Sequence, residues 1–278
     1  MWRWMRARCG LRLDAPALAD LRPKAGFEKR GISVVIPCLN EQGRIGQTVR
    51  DCVGQATDAS ILEIVVVVSD ETQDCTFQEA EAEGSTSAAR IVVLRAGPGR
   101  GAPLREGARR SSCEVLVFLH ADVRLPRGWD ELLRRGIASD VVAGSFRFGV
   151  AEPDMASNED KLLLWVTYTL YGLRVRLLGC MEGDHAPFAL RPFYEAFDGH
   201  PEWRLLEDVE FQRRAWSLAS RCGGRIAVLP AQTVCSPGKW IKNGVFKTTF
   251  INSVVYTAHW IFGINPAVLY RWYYGLSQ

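Results

Sequence analysis

The sequence predicts an α/β fold: a mostly parallel central sheet flanked by helices, followed by an apolar helical extension at the C-terminus. Three observations carry this. From Gly31 onward, short apolar runs alternate with amphipathic polar stretches, the rhythm of β-α-β units. The runs are apolar throughout rather than at alternate positions, as in strands covered on both faces. Each run in the first half also stops on a polar or glycine-rich turn, and open sheets bind ligands outside the carboxyl ends of their strands.

The first strand is "ISVVIPCLN" (Ile32 to Asn40), and "RIGQTVRDCVGQA" is the helix after it. "EIVVVVSDE" from Glu63 is the second strand, "TQDCTFQEAEAEG" a helix, "ARIVVLRA" the third strand, "PLREGARRSS" a helix and "EVLVFLH" the fourth strand. After Asp140 the rhythm changes. "VVAGSFRFGV" reads as one or two strands, "KLLLWVTYTLYGLRVRLLG" as an aromatic-rich helix, "APFALRPFYEAF" as a strand and the start of a helix, and "LLEDVEFQRRAWSLA" as a helix. A nucleotide-type half is thus followed by a half that holds something else.

Composition bounds the function class. In 278 residues, 47% are hydrophobic and 23% charged, which excludes a disordered chain, and a formal net charge of +3 gives no argument for a nucleic-acid partner. Eight cysteines are scattered without a C-x-x-C pair or a histidine at zinc-finger spacing, so they read as small buried hydrophobes in a reducing compartment. Residues 1–30 are rich in arginine but lack the apolar core of a signal peptide. They read as a basic leader, whether a transit segment, disordered, or a short helix lying on the domain. The expected location is the cytoplasm or an organelle interior, with or without peripheral membrane attachment, and not the secreted fraction.

The strand-end stops supply the candidate chemistry. They are Pro37-Cys38-Leu39-Asn40-Glu41, Ser69-Asp70-Glu71-Thr72-Gln73-Asp74, Ala96-Gly97-Pro98-Gly99-Arg100-Gly101 and His120-Ala121-Asp122. The third loosely matches a dinucleotide fingerprint, but it follows the wrong strand, and Pro98 and Pro103 sit where helix-opening amides should meet a pyrophosphate. A basic loop contacting phosphates through Arg95, Arg100 and Arg105 fits better. At the fourth, alternation lets His120 and Asp122 face the same side, where they could hold a divalent ion completed by diphosphate oxygens. Backbone pairing of His120 and turn capping by Asp122 remain the competing reading.

"ISVVIPCLNE", the acidic turn after "EIVVVV", "FLHADVRLP", "GDHAPFALRPFYEAF" and "LLEDVEFQRR", in this order, resemble the family 2 glycosyltransferases of GT-A fold, over roughly Ile32 to Tyr270. The branch it is most similar to is the bacterial-type one with a His-Ala-Asp strand end. The resemblance implies transfer of a sugar from a nucleotide-diphosphate donor to a hydroxyl, with a divalent metal (Mn²⁺ or Mg²⁺) as cofactor. It implies that Pro37, Asn40 and Glu41 line the nucleotide pocket, and that Asp122, at the last position of the family's D-x-D motif, holds the metal. His120 stands in place of the motif's first carboxylate. Gly183 and Asp184 match the segment facing donor sugar and acceptor, and Glu207-Asp208 matches the family's Glu-Asp pair, with Asp208 as general base. Where the family has an aspartate ending the second strand, this chain has Ser69 followed by Asp70, and Lys239-Trp240 stands at the basic-aromatic C-terminal signature.

One base and no separate nucleophile implies inversion at the sugar. The alternative reading is a catalytically silent nucleotide-sugar-binding or scaffold protein of the same fold; a nucleotidyltransferase would need a Lys-containing glycine-rich first turn that "PCLNEQGRIG" lacks. The chain divides as leader 1–30, glycosyltransferase domain 31–240 and helical extension 241–278. The extension is strongly apolar, but Asn252, Ser253, His259 and Asn265-Pro266 break it short of the ~20 apolar residues a spanning helix needs. Two amphipathic helices fit, packed on the domain or resting at a membrane interface, and the acceptor is left open, a lipid-linked one included.

Overall fold

The computed structural model describes residues 18–21, 31–85, 87–137, 140–149, 165–166, 169, 181–236 and 243–275. The expectations for most of the leader, for most of the helix at 161–179 and for Lys239-Trp240 therefore lie outside the described residues. The elements in chain order are β1 (Ile32–Cys38), α1 (Ile45–Gly54), β2 (Leu62–Ser69), α2 (Thr76–Glu83), β3 (Arg90–Ala96), α3 (Gly101–Arg110), β4 (Val115–Phe118), β5 (Val123–Arg124) and α4 (Trp129–Gly136). Then come β6 (Val141–Arg147), β7 (Phe188–Leu190), α5 (Arg191–Ala196), α6 (Glu207–Cys222), β8 (Arg225–Gln232), β9 (Val234–Cys235), α7 (Val245–Phe262) and α8 (Pro266–Tyr274).

Among the described residues a seven-stranded sheet runs in the order β3-β2-β1-β4-β7-β6-β8. The neighbours β2–β3, β1–β2, β1–β4 and β6–β8 are parallel, while β7 runs antiparallel to both β4 and β6. Every residue of β1, β2 and β4 is buried, as their continuous apolar runs required. Close packing of α3 on the sheet depends on Gly107: a Cβ there would lie 2.4 Å from a Val35 methyl. Five features are not announced by the sequence, namely β5, β8, β9, α4 and the reversal at β7. In α4 the buried Trp129 donates to the Cys52 carbonyl, and buried Asp130 accepts from the Thr57 amide, so this short segment is held by tertiary bonds rather than by a long periodic stripe.

Leu21 is buried in the main core, and its short turn packs against α5. Of the six described cysteines, all free, Cys38, Cys52 and Cys235 are buried while Cys75 is exposed. The two C-terminal helices pack together and onto Leu205, Leu206 and Val209 through Val255 and Leu269, forming a second small core.

One buried carboxylate pins the amino ends of three strands. Glu63 on β2 accepts from Ser33 Oγ (2.6 Å) on β1 and from the Ser112 amide (2.6 Å) and Oγ (3.0 Å) ahead of β4, and pairs with Arg90 (3.0 Å) on β3. Burial pushes this carboxyl up, but the hydrogen bonds and Arg90 outweigh it and hold it below its ordinary value. A carboxyl depressed by folding contributes stability that is present above its unfolded pKa and is lost as pH falls through the folded one. Glu63→Gln should therefore flatten the acid limb of the stability profile below the ordinary glutamate range. Glu63→Ala should cost on the order of 3 kcal/mol by urea denaturation at neutral pH, since it strands buried donors.

Candidate active site

The parallel register aligns Cys38 with Val68, Ser69 with Ala96, and Val35 with Phe118, so the four polar stops lie along one edge of the sheet. At the first, Pro37 is buried within β1, and Asn40 follows in the left-handed region (φ 54°), which asparagine tolerates better than most residues. The Asn40 carboxamide oxygen accepts from the Gln73 amide (2.8 Å), tying this stop to the second. Glu41 lies in the turn ahead of α1, its carbonyl accepting from the Arg44 and Ile45 amides, and its carboxylate pairs with Arg44 (2.7 Å). Burial and the charge of Asp122 push the Glu41 carboxyl up against the pull of Arg44. At the second stop Ser69 is fully buried, and the carboxylate of Asp70 stands exposed one place later.

The glycines of the third stop serve packing. A Cβ on Gly101 would lie 2.1 Å from the Pro201 carbonyl oxygen, and one on Gly99, at φ +81°, would lie 2.8 Å from the Arg204 Cα. The Gly101 amide donates to the Trp203 carbonyl at 3.0 Å. This contact brings Arg100, just ahead of α3, beside the start of α6, where its Nε lies 2.9 Å from Glu207 Oε1. Arg100 remains 42% exposed, enough to present a face to a ligand, whereas Glu207 is wholly buried. Burial pushes Glu207 up against the pull of Arg100, and Glu207 pushes Arg100 up in turn. The other two arginines expected here are engaged elsewhere: Arg105 pairs with Asp198 (2.5 Å), and Arg95 covers the Phe77 ring (4.8 Å to the centroid).

The fourth stop is a turn closed by the Val123 amide on the His120 carbonyl (3.1 Å), with Thr48 Oγ1 on the Ala121 carbonyl (2.5 Å) and the Ser236 amide on the Asp122 carbonyl (3.1 Å). Because β7 runs antiparallel, the residues ahead of it, the turn Gly183–His185, arrive at this same edge. Asp184 Oδ1 lies 3.3 Å from His120 Nδ1, and Thr233 Oγ1 holds the Asp184 carbonyl at 2.9 Å. The Gly183 backbone lies against the His120 ring, so a Cβ on Gly183 would lie 2.0 Å from Cε1. Burial pushes His120 down, but the hydrogen bond and charge of Asp184 outweigh it and hold the imidazole above its ordinary value. Asp184 is held low by His120, which offsets the effect of burial.

The second carboxylate group comes from α6. Leu206, in the left-handed region at φ 65°, turns the chain abruptly into the helix, and strain of this kind concentrates where the surrounding structure over-determines a site. Asp208 Oδ2 accepts from the Gly183 amide (3.3 Å) and Oδ1 from the Val209 amide (2.8 Å). Glu182, which the sequence reading passed over, completes the group. Burial first, then the charges of Asp208 and Asp184, push its carboxyl well above the usual range.

The sequence-predicted residues thus fall into three sets. His120 and Asp122 meet Asp184, which had been read as facing the sugar; one ligand atom from each lies within 4.8 Å of the others, a set of donors that could hold a divalent cation. Asp208, Glu207, Arg100 and Gly183 adjoin it, while Pro37, Asn40, Glu41 and Asp70 lie at the neighbouring strand ends. The nearness of Asp184 to His120 carried no signal in the sequence, because it follows from the direction of β7.

The family model for glycosyl transferase family 2 matches residues 33–191. Comparison with curated proteins gives no match. Among solved structures, a mannosyltransferase, PcManGT from Pyrobaculum calidifontis in complex with GDP-Man and Mn²⁺, superposes with a TM-score of 0.60 at 16% identity, over 87% of this chain and 69% of that one. S. aureus TarS 1-349 in complex with UDP-GlcNAc gives 0.57 at 18% identity over 74% of this chain, and the chain spans 58% of that structure. At these identities the likeness shows a shared GT-A fold.

Gly183→Ala tests the central contact of the site. The added methyl must displace the His120 ring or the turn, and overpacking of this kind costs about 1–3 kcal/mol. A loss in that range by chemical denaturation, with the ¹⁵N resonances of the His120 imidazole shifted, is the expected result.

Proposed function

The chain belongs to glycosyl transferase family 2, and from that membership we propose that it moves a sugar from a nucleotide-diphosphate donor to a hydroxyl acceptor with inversion at the anomeric carbon, assisted by a divalent cation. The observation that carries this reading is the grouping of His120, Asp122 and Asp184, with one ligand atom of each within 4.8 Å of the others, one backbone amide away from the Asp208 carboxylate. PcManGT with GDP-Man and Mn²⁺, and TarS with UDP-GlcNAc, support the donor class. Pro37, Asn40, Glu41 and Asp70, at the adjoining ends of β1 and β2, are the proposed wall of the nucleotide pocket.

A divalent cation at His120, Asp122 and Asp184 would set positive charge against the diphosphate as it leaves. Arg100, half exposed beside that point, adds a fixed guanidinium that can meet a phosphate oxygen without giving up Glu207. Asp208 is the proposed base that takes the proton from the acceptor hydroxyl. The neighbouring carboxyls suit other roles. Glu207 is buried against Arg100 and held as a positioning residue, and Glu182 is pushed toward its neutral form, which makes it a poor nucleophile. With Asp122 and Asp184 assigned to the cation, Asp208 is left as the carboxylate beside them to act as base, which favours direct displacement, hence inversion.

Asp208→Asn should lower kcat about 10²–10⁴-fold while leaving donor affinity within a few-fold, read by single-turnover kinetics with the donor identified by thermal shift. A donor at 100 times its Kd stabilises the fold by about 2.7 kcal/mol, so UDP and GDP with Mn²⁺ are the first probes. If neither they nor other nucleoside diphosphates shift the melting temperature, the reading as a transferase gives way to a catalytically silent scaffold.

For the acceptor we propose a membrane-proximal substrate, presented where α7 and α8 rest on an anionic bilayer surface. Phe246, Phe250, Ile261, Phe262, Val268 and Trp272 are exposed on these helices. Residues 243–275 contain Lys247 and Arg271 and no aspartate or glutamate. Apolar rings beside isolated cations, without acids, suit the headgroup zone of such a bilayer. Among the described residues no helix is long and apolar enough to cross a membrane, so contact would be interfacial. The full chain should float with vesicles containing phosphatidylserine and float less after Phe246→Ser/Phe250→Ser/Trp272→Ser. Recovery at the bottom of the gradient with every vesicle composition would overturn the proposal.

A further inference from the structure

We propose that Glu71 and Arg204 are positioning residues for the donor: they clasp the turn that carries Asp70 to α8, so that donor affinity depends on how α8 is seated. The inference rests on the reading of the β1 and β2 ends as the nucleotide wall, and concerns what holds that wall in shape.

Neither residue belongs to a helix or strand, and both side chains stay more than a third exposed. An exposed ion pair by itself adds little to stability, because water and salt screen it. This one differs in what its partners also hold. Glu71 Oε1 lies 2.9 Å from Arg204 Nη2, while Glu71 Oε2 accepts from the Gly99 amide at 3.2 Å. The same guanidinium lies over the Tyr270 ring of α8, 5.3 Å from its centroid. Tyr270 packs in turn on the small core that includes Leu205 and Leu206, and Trp203 meets the His259 ring of α7 edge-on, 5.7 Å between centroids. Two side chains therefore join the turn after β2, the loop after β3, the chain ahead of α6, and α8.

The turn after β2 is tied on every flank except the one that carries a free surface. The Asp70 amide donates to the Ala96 carbonyl (2.8 Å), the Thr72 amide to the Ser69 carbonyl (3.0 Å), and the Glu71 amide to the buried Ser69 Oγ (3.3 Å). Asn40 Oδ1 fixes the far side through the Gln73 amide at 2.8 Å. Asp70 itself stands exposed in the middle. A surface turn that is ordered before its ligand arrives loses little freedom on binding, so holding it raises affinity without adding a contact. Because Arg204 draws this turn and α8 together, linkage makes the effect mutual: unseating α8 weakens the donor, and a bound donor steadies α8.

The test uses the full chain, with UDP and GDP in the presence of Mn²⁺ as probes and titration calorimetry as the readout. Glu71→Lys and Arg204→Glu each set like charges together and should weaken the nucleotide about ten-fold, whereas the two combined restore an opposite pair and should recover most of that loss. Residues with separate structural roles would instead give losses that add. Tyr270→Leu keeps an apolar side chain but removes the ring; it should weaken the nucleotide about three-fold in the wild-type chain and leave it unchanged in Arg204→Glu. Thermal unfolding checks that each variant is folded. Should a reversed charge unfold the chain, Glu71→Gln and Arg204→Gln take its place, and the two together should bind no more weakly than either alone. If the wild-type chain binds a nucleotide but the single variants bind it equally well, or their losses add, or Tyr270→Leu acts equally in both backgrounds, the positioning inference fails and the donor reading stands. If the wild-type chain binds no nucleoside diphosphate, both fall.

Discussion

The pairing of Arg100 with Glu207 is the contact on which the rest of the active edge depends. Glu207 is wholly buried, and neither of its oxygens accepts a well-aligned hydrogen bond among the described residues. Removing a carboxylate from water costs several kcal/mol unless a counter-charge is at hand, and Arg100 Nε at 2.9 Å is that counter-charge. Bringing it there requires the loop after β3 to press against residues 201–204, which only glycine at 99 and 101 allows. The same contact locks the entry to α6, where Leu206 is held in a left-handed turn and Asp208 is aimed at the Gly183 amide. A glycine-rich loop that resembles a phosphate cradle is therefore a joint between the two halves of the molecule.

The second organising fact is direction. Parallel strands β1, β2, β3 and β4 deliver their polar ends to one edge, and a single antiparallel strand, β7, delivers the residues that precede it to the same place. Acidic groups from distant parts of the chain meet there: Asp122 from the first half, Glu182 and Asp184 from the turn before β7, and Glu207 and Asp208 from α6. Their mutual repulsion is relieved in different ways. Asp184 has His120, Glu207 has Arg100, Asp208 has backbone amides, and Glu182 shifts toward its neutral form. An acidic cluster arranged this way is poised to gain from added positive charge.

The C-terminal helices stand apart from this economy of charge. Their inner residues, Val255 and Leu269, seal Leu205, Leu206 and Val209, immediately before and within the start of α6. Whatever engages their exposed aromatic face therefore acts on the element that carries Asp208. That continuity gives a physical reason for an acceptor presented at a surface to be read next to the proposed base.

Much of the first half was legible in the sequence. Continuous apolar runs specified buried parallel strands because such strands have no polar face, and the polar stop after each run marked the edge where the candidate site residues gather. His120, Asp122 and Asp208 were singled out by their place at strand and helix ends, and the resemblance to family 2 is borne out over residues 33–191. The tertiary structure decided what periodicity does not encode. Three strand residues in β7 are too few to announce a direction, so the arrival of Asp184 beside His120 and the exclusion of a side chain at Gly183 could not be read in advance. Charge partners were equally hidden. Arg95, Arg100 and Arg105 look alike along the chain, and only packing sent one to Glu207, one to Asp198 and one onto the Phe77 ring, because an ion pair depends on distances between segments that folding alone brings together.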